Sequence, residues 1–111
     1  DTQYLEFSNE QISDFYKLVG KNVKRVRTEK GLSQLDLAFA LGLKSVGLIS
    51  VAELYHNKRH FNLEHLCKIA AVLDATSASF FARYNKQLQH NYDFGIIKIK
   101  NRGEENANDK I

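Results

Sequence analysis

The chain contains no proline, so no residue in it is an obligatory helix breaker. Its single cysteine, Cys67, excludes a disulfide within the chain and fits a reducing compartment. No apolar run approaches the roughly 18 residues that a transmembrane helix needs, and the first residues do not resemble a signal peptide. We therefore expect a cytoplasmic protein that does not enter a membrane.

Sequence patterns for catalysis and metal binding are also lacking. The chain has no glycine-rich phosphate loop and no spacing that suggests a Ser-His-Asp arrangement. His56 and His60 lie close together but in a predicted loop, without a paired set of further ligands. Cys67 falls within an amphipathic helix and has no glycine turn near it, which favours a structural role. The sequence predicts no catalytic residue, no metal site and no cofactor.

A single small domain is expected from the 111 residues. The formal net charge of +3 is compatible with a polyanionic partner without proving one. A long first helix is predicted at about residues 9–30, because Ser8 and Gln11 have the spacing of a capping box and Gly31 supplies a stop. Its apolar stripe consists of Ile12, Phe15, Val19, Val23 and Val26. Gly20 weakens this helix by about 1 kcal/mol relative to alanine, so two helices meeting there are an alternative.

The solvent side of the first helix is predicted to be basic. It carries Lys17, Lys21, Lys24, Arg25, Arg27 and Lys30, against Asp14 and Glu29. Such a face is either an ordinary solvated surface or an electrostatic contribution to phosphate binding. Its position next to the helix pair at residues 31–54 strengthens the second interpretation.

Residues 31–54 predict two short helices joined by a sharp turn. Ser33 caps the first, and Ala38 is small enough for a second helix to cross closely. Gly42 can adopt the positive φ that a tight helix exit needs, and Leu43 pins the turn to a core. This is the pattern of a helix-turn-helix unit.

The second helix of this unit is predicted to begin near Ser45, with two registers open. A three-residue turn would direct Leu48 and Val51 to the core, whereas a turn one residue longer would direct Ile49 and Ala52 there. All four are apolar, so periodicity does not decide between them. In both registers the exposed side near the helix start has few hydrogen-bonding side chains.

A fourth helix is predicted from the N-cap Asn62 to Asp74, and a fifth helix follows, capped by Thr76 or Ser77. The buried stripe of the fourth is Leu63, Leu66, Ile69, Ala70 and Leu73. The fifth carries Phe80, Phe81 and Tyr84, more than one short helix can bury in so small a monomer. Some of these aromatic groups are therefore candidates for a dimer contact.

The pattern changes after residue 85. Residues 92–100 are rich in isoleucine and aromatics, which predicts either a short strand or a segment packed on the first helix. Residues 101–111 are polar and predicted to be mobile. The chain is thus divided into an N-terminal extension with the start of helix one, a helix-turn-helix domain and a C-terminal extension, at 1–17, 18–84 and 85–111.

Residues 23–34 have the sequence VKRVRTEKGLSQ, and they are followed by Leu37, Ala38, Leu41, Gly42 and Leu43. They resemble the Cro/C1-type (XRE-like) helix-turn-helix family of phage repressors and bacterial regulators. Less specific matches follow at Ile49, Ser50, Glu53, Leu63, Glu64, Leu66, Ile69, Ala70, Leu73, Phe80 and Phe81. The resemblance covers about residues 18–82 and implies a compact, all-α, five-helix lambda-repressor-like domain.

The resemblance also implies a function: a sequence-specific regulator of transcription that binds double-stranded DNA as a repressor-like homodimer, with helix three in the major groove. Carried to matching positions, the contacts to phosphate at the start of helix two would come from Ser33 and Gln34, or Gln34 would touch a neighbouring recognition residue. The residues facing the groove would be Lys44, Ser45, Val46, Gly47 and Ser50. The residues along the DNA backbone would be Asn57, Lys58 and Arg59.

Two departures from the family pattern concern the recognition helix. The family usually has polar residues where this chain has Val-Gly-Leu-Ile at 46–49. It also usually has a glycine soon after the glutamate, whereas three residues separate Glu53 from Asn57 here. Helix three or the loop after it is therefore expected to be longer. The apolar helix motivates an alternative function, an antitoxin or adaptor-type protein-interaction module.

Overall fold

A computed structural model describes residues 6–83, and this part of the chain is all-α, as predicted. Its four α-helices are α1 (Asn9–Glu29), α2 (Gln34–Ala40), α3 (Gly47–Leu54) and α4 (Leu63–Leu73). Two short 3-10 helices follow α3 and α4, at His56–Lys58 and Ser77–Phe81. No helix among the described residues is long and apolar enough to cross a membrane. Tyr84 and the C-terminal extension, with its predicted strand, lie outside the described residues.

The first helix is continuous from Asn9 to Glu29, so the alternative of two helices is wrong. Its capping box is confirmed: the backbone N–H of Gln11 donates to the hydroxyl of Ser8 at 3.1 Å, and the N–H of Ser8 donates to the Gln11 side chain at 2.6 Å. At the other end Gly31 has a φ of +77°, a conformation that glycine adopts without steric cost. The sequence therefore specifies both ends of α1.

Gly20 is the point at which α1 and α3 cross. A Cβ atom built on Gly20 would lie 2.5 Å from the carbonyl oxygen of Glu53 and 2.7 Å from that of Ala52. These neighbours are backbone atoms, which cannot rotate away as a side chain can. The glycine that reduces helix propensity thus allows close packing of the two helices.

The core is formed by one side of α1 against the other helices. It contains Val19, Val23, Val26, Leu37, Ala38, Ile49, Ala52, Phe61, Leu66, Ile69, Ala70, Leu73 and Phe80. Ile12 was predicted to belong to the same stripe but is 42% exposed, whereas the neighbouring Gln11 is buried. Phe15, one turn later, is half-buried against the core edge.

The register of α3 is decided by the tertiary structure. Ile49 and Ala52 are buried at 0% and 1% exposure, while Leu48 and Val51 are only half-buried. The longer of the two predicted turns is therefore the correct one, and α3 begins at Gly47, after the predicted start at Ser45. Gly42 has a φ of +80°, as the predicted turn requires.

The fourth helix begins as predicted, with the Asn62 side chain accepting a hydrogen bond from the His65 backbone N–H at 2.7 Å. Leu63, however, is 80% exposed and does not belong to the buried stripe. It occupies the first position of α4, between the buried Phe61 and Leu66, and its side chain does not face the core. Leu66 begins the buried side instead.

The predicted fifth α-helix is a five-residue 3-10 helix, Ser77–Phe81. Thr76 precedes it without capping it through its side chain; instead its carbonyl accepts a hydrogen bond from the Ser79 hydroxyl at 2.6 Å. Phe80 is fully buried, and the Asn22 side chain of α1 donates to the carbonyls of Phe80 and Ala82 at 2.9 and 3.0 Å. This short segment is therefore held by tertiary contacts to α1.

Candidate nucleic-acid interface

The start of α2 is closed by a reciprocal capping box. The Ser33 hydroxyl accepts a hydrogen bond from the Asp36 N–H at 2.9 Å, and the Asp36 carboxylate accepts one from the Ser33 N–H at 3.0 Å. The backbone hydrogen bond from Ser33, followed by that of its side chain, lowers the pKa of Asp36 below its ordinary value. Ser33 is exposed, but its hydroxyl is occupied in capping.

A buried ion pair joins the helix-turn-helix unit to α1. Nε of Arg27 lies 2.8 Å from Oε2 of Glu53, and its Nη2 donates to Oε1 of Glu53 at 3.1 Å. Arg27 also donates to the Leu32 carbonyl at 2.8 Å. Arg27 was predicted on the solvent side but is 7% exposed, because it lies two helical turns after Gly20, on the side of α1 that faces α3.

Gln34 completes this cluster. Its side-chain amide donates to Oε1 of Glu53 at 2.9 Å, so the carboxylate receives hydrogen bonds from both α1 and α2. Glu53 is 2% exposed and sits near the end of α3, and hence its three charge-assisted bonds lie where water does not compete. The Gln34 side chain is thus bound within the domain, to Glu53.

The start of α3 is exposed and has few free polar groups. Lys44, Ser45 and Gly47 are exposed, and Val46 and Ser50 are half-buried. The Ser45 hydroxyl accepts a hydrogen bond from the Gly47 N–H at 3.4 Å, and the Ser50 hydroxyl donates to the Gly47 carbonyl at 3.1 Å. Both hydroxyls are thus directed at the helix backbone. The ammonium of Lys44 is the charge at this end of α3.

The loop after α3 has an unusual backbone. Tyr55 and Asn57 have a φ of +54°, and Lys58 has a φ of +60°. Asparagine tolerates this left-handed conformation. For Tyr55 and Lys58 this conformation costs about 1 to 3 kcal/mol each and persists only where surrounding contacts hold it. Asn57, Lys58 and Arg59 are all exposed.

An aromatic stack lies beneath this loop, which the sequence did not reveal. The Tyr16 ring of α1 is nearly parallel to the His60 ring, with centroids 3.9 Å apart, and to the Tyr55 ring, with centroids 5.5 Å apart. Tyr16 lies one turn before Gly20, and therefore on the same side of α1. The four-residue spacing between Tyr16 and Gly20 is visible in the sequence. It places Tyr16 on the side of α1 that faces α3 only once Gly20 is known to face that helix.

The remaining basic residues of α1 lie on its exposed surface. Lys17, Lys21 and Lys24 are exposed, whereas Arg25 pairs with Glu29 at 3.3 Å on the side that faces Ser79. Within residues 6–83 there is no group of His, Cys, Asp and Glu side chains that could hold a metal ion.

The helix-turn-helix family model of the Cro/C1 type matches residues 23–81, just over half of the chain. The chain belongs to this family. It is accordingly a DNA-binding helix-turn-helix regulator of a family without enzymatic activity. The match includes the whole of α2, α3 and α4, whereas Tyr16 precedes it. No curated protein and no solved structure matches the chain.

Proposed function

We propose that the protein is a sequence-specific, repressor-like regulator of transcription that places α3 in the major groove of double-stranded DNA. The observation that carries the proposal is the exposed start of α3, which has a basic residue before it at Lys44 and two basic residues after it at Lys58 and Arg59. A helix of this kind reads base edges, while flanking cations contact phosphates.

Base reading by this helix relies on apolar contact more than on hydrogen bonds. Val46 offers the methyl groups of its side chain and Gly47 has no side chain, so neither adds a polar side-chain group, which suits contact with the methyl group of thymine. Ser45 and Ser50 are the candidate hydrogen-bonding residues, and each would exchange its bond to Gly47 for one to a base or phosphate. Ser33 and Gln34 at the start of α2 would lie against the backbone beside the groove.

We further propose a twofold homodimer on a pseudo-palindromic site. Large apolar side chains are exposed at both ends of the loop after α3, where Leu54 is 69% and Leu63 is 80% exposed. Exposed apolar groups of this size favour an interface. A dimer would bind half-sites about 10 base pairs apart, centre to centre, and sedimentation velocity would give the oligomeric state directly.

Selection of bound sequences from a random double-stranded DNA pool tests the proposal. One enriched palindrome is the expected result, and its symmetry gives the half-site spacing. Transcription from a promoter that contains the enriched site should fall in the presence of the protein. A pool without enrichment would contradict sequence-specific binding, and a rise in transcription would contradict a repressor-like role.

Salt dependence tests the loop assignment. Replacing Lys58 and Arg59 with alanine should lower the slope of log affinity against log salt by about one unit for each phosphate contact removed. The matched control is Arg25→Ala with Lys68→Ala, which removes the same two charges elsewhere. Arg25 faces Ser79 and Lys68 lies on α4, so this control should leave the slope nearly unchanged. Equal slopes for the two double variants would remove the loop from the interface.

A protein-interaction module of the antitoxin or adaptor type is the second candidate. It is favoured by the apolar character of the exposed side chains, among which Phe39 is 59% exposed beside the weakly polar α3. This function predicts a stoichiometric complex with a protein partner and no retardation of DNA at low salt. The two candidates therefore give opposite results in the same gel-shift experiment.

A further inference from the structure

The loop between α3 and α4 has no glycine, although three of its residues are left-handed. Tyr55, Asn57 and Lys58 have φ values of +54°, +54° and +60°. Of these residue types only asparagine adopts this region readily. Local sequence therefore does not specify the conformation that presents Lys58 and Arg59, and a contact from elsewhere in the molecule must select it.

Tyr16 supplies that contact. Its ring stacks on His60 at a centroid distance of 3.9 Å and an interplanar angle of 15°, and on Tyr55 at 5.5 Å and 16°. Tyr55 is the first left-handed residue of the loop, and His60 directly follows Arg59. One side chain of α1 thus touches both ends of the segment that carries the two basic residues.

The ring of His60 is fixed a second time from within the loop. Its Nδ1–H donates to the Phe61 carbonyl at 3.1 Å, and Phe61 is buried at 4% exposure. His60 therefore has one hydrogen bond to the edge of the core and one stacking contact to α1. Because both ends of the loop are held, the residues between them cannot relax without breaking a ring contact.

We infer that Tyr16 is a positioning residue for DNA binding, which holds the loop in the conformation that brings Lys58 and Arg59 to the phosphate backbone. The inference rests on the proposed function. Tyr16 lies outside the matched residues 23–81, so the family match does not itself assign it this role. Tyr16 itself contacts no DNA in this proposal and acts through the loop.

The test is a double-mutant cycle between the stack and the basic pair. Tyr16→Leu keeps apolar bulk but removes the parallel ring, and Tyr16→Phe keeps the ring. Affinity for the selected DNA site and its salt slope are measured for each variant, alone and combined with Lys58→Ala and Arg59→Ala. We expect Tyr16→Phe to bind like the parent, and Tyr16→Leu to lose affinity and up to about one unit of salt slope for each phosphate contact that the loop loses.

Non-additivity is the decisive readout. In the chain that already lacks Lys58 and Arg59, Tyr16→Leu should cause no further loss, because the contacts it positions are absent. A general structural role would instead reduce affinity by the same factor in both backgrounds, and this result would overturn the inference while leaving the proposed function intact. Failure of the parent protein to bind any DNA would overturn both.

A measurement without DNA separates loop positioning from folding. Amide hydrogen exchange in Tyr16→Leu should become faster at residues 55–60 and stay unchanged in α2. If Tyr16→Leu does not fold, His60→Ala removes the closer stacking partner from an exposed position and is expected to give the same exchange pattern. Unchanged exchange in the loop of either folded variant would overturn the inference.

Discussion

The starts of α2 and α3 differ in how their first turns are specified. At α2 the Ser33 side chain and the Asp36 carboxylate each satisfy a backbone N–H of the other residue. At α3 the N-cap position is Val46, which makes no side-chain capping bond, and the loop after the helix has three left-handed residues other than glycine. The first turn of α2 is therefore specified by neighbouring residues, whereas α3, the helix proposed to contact DNA, is held by contacts from other parts of the molecule.

The difference shows which part of the molecule fixes the position of α3 and of the loop after it. A sequence departs from the local preferences for caps and backbone conformation mostly at functional positions, and contacts from other parts of the structure compensate for the lost stability. Here the compensation comes from α1, through the close approach at Gly20, the ion pair of Arg27 with Glu53, and the stack of Tyr16 on the loop. All three residues lie on one side of α1, which suggests that α3 is placed by α1 more than by its own sequence.

The largest expected effect is the loss of the buried ion pair. Arg27→Ala leaves the Glu53 carboxylate buried with Gln34 as its remaining side-chain donor, and should lower the free energy of unfolding by about 3 to 5 kcal/mol. Urea denaturation measures this directly. The control is Lys68→Ala, which removes the exposed pair with Glu64 and should cost less than about 1 kcal/mol.

A double variant shows whether the pair acts through charge or through packing. Arg27→Met with Glu53→Leu removes both charges and keeps apolar volume, so it should recover much of the stability lost in Arg27→Ala. Similar destabilisation in the single and double variants would mean that the shape of the two side chains, and not their pairing, holds α1 against α3.

The second effect concerns the helix crossing. Gly20→Ala should destabilise the fold by about 1 to 3 kcal/mol, since its methyl group would meet the Glu53 and Ala52 carbonyls and force the helices apart. The result would oppose helix propensity, which favours alanine by about 1 kcal/mol. Thermal unfolding followed by circular dichroism measures the change, and a more stable variant would contradict the crossing as described.

A smaller effect of opposite sign is expected at the other helical glycine. A methyl group on Gly47 would lie 3.6 Å from the Ser45 hydroxyl oxygen, an ordinary contact, so Gly47→Ala should stabilise the fold by about 0.4 to 1 kcal/mol. Because Gly47 is on the exposed start of α3, the same variant should alter DNA affinity. Higher stability together with changed affinity would show that Gly47 affects folding and DNA binding independently.

The smallest effect is a dependence on pH at the start of α4. The Asn62 backbone N–H donates to Nδ1 of His65 at 3.1 Å, which requires that nitrogen to be unprotonated. Burial lowers the pKa of His65, Lys68 and His60 lower it further, and Glu64 opposes them. The folded state therefore binds this proton less readily than the unfolded chain, so the stabilising contribution is present above the ordinary histidine pKa and is lost as the pH falls through the lowered value.

The variant His65→Gln isolates this contribution, because glutamine can accept the same hydrogen bond without titrating. Denaturation measured between about pH 7 and pH 5 should show a shallower loss of stability in the variant than in the parent protein. Parallel curves would show that the capping bond does not depend on His65 protonation.

Short-range features of the fold were predictable from the sequence because their causes are local. Ser8 with Gln11, Asn62 at the start of α4, and the positive φ of Gly42 each follow from the chemistry of a few neighbouring residues. The predicted fifth α-helix was wrong because its aromatic residues suited a helix, whereas Asn22 holds the backbone carbonyls of this segment in a 3-10 turn. Leu63 was misassigned because its three-residue spacing from Leu66 fits an apolar stripe, although its side chain is exposed.

The candidate site was less predictable than the fold. The sequence by itself determined the starts of α1, α2 and α4, the turn at Gly42 and the family, all of which depend on residues close together in the chain. Only the tertiary structure decided the register of α3, the burial of Arg27 and the support of the loop by Tyr16. The apolar residues of α3 fit either register equally, and the choice between them arises from contacts with α1, some 30 residues earlier in the chain.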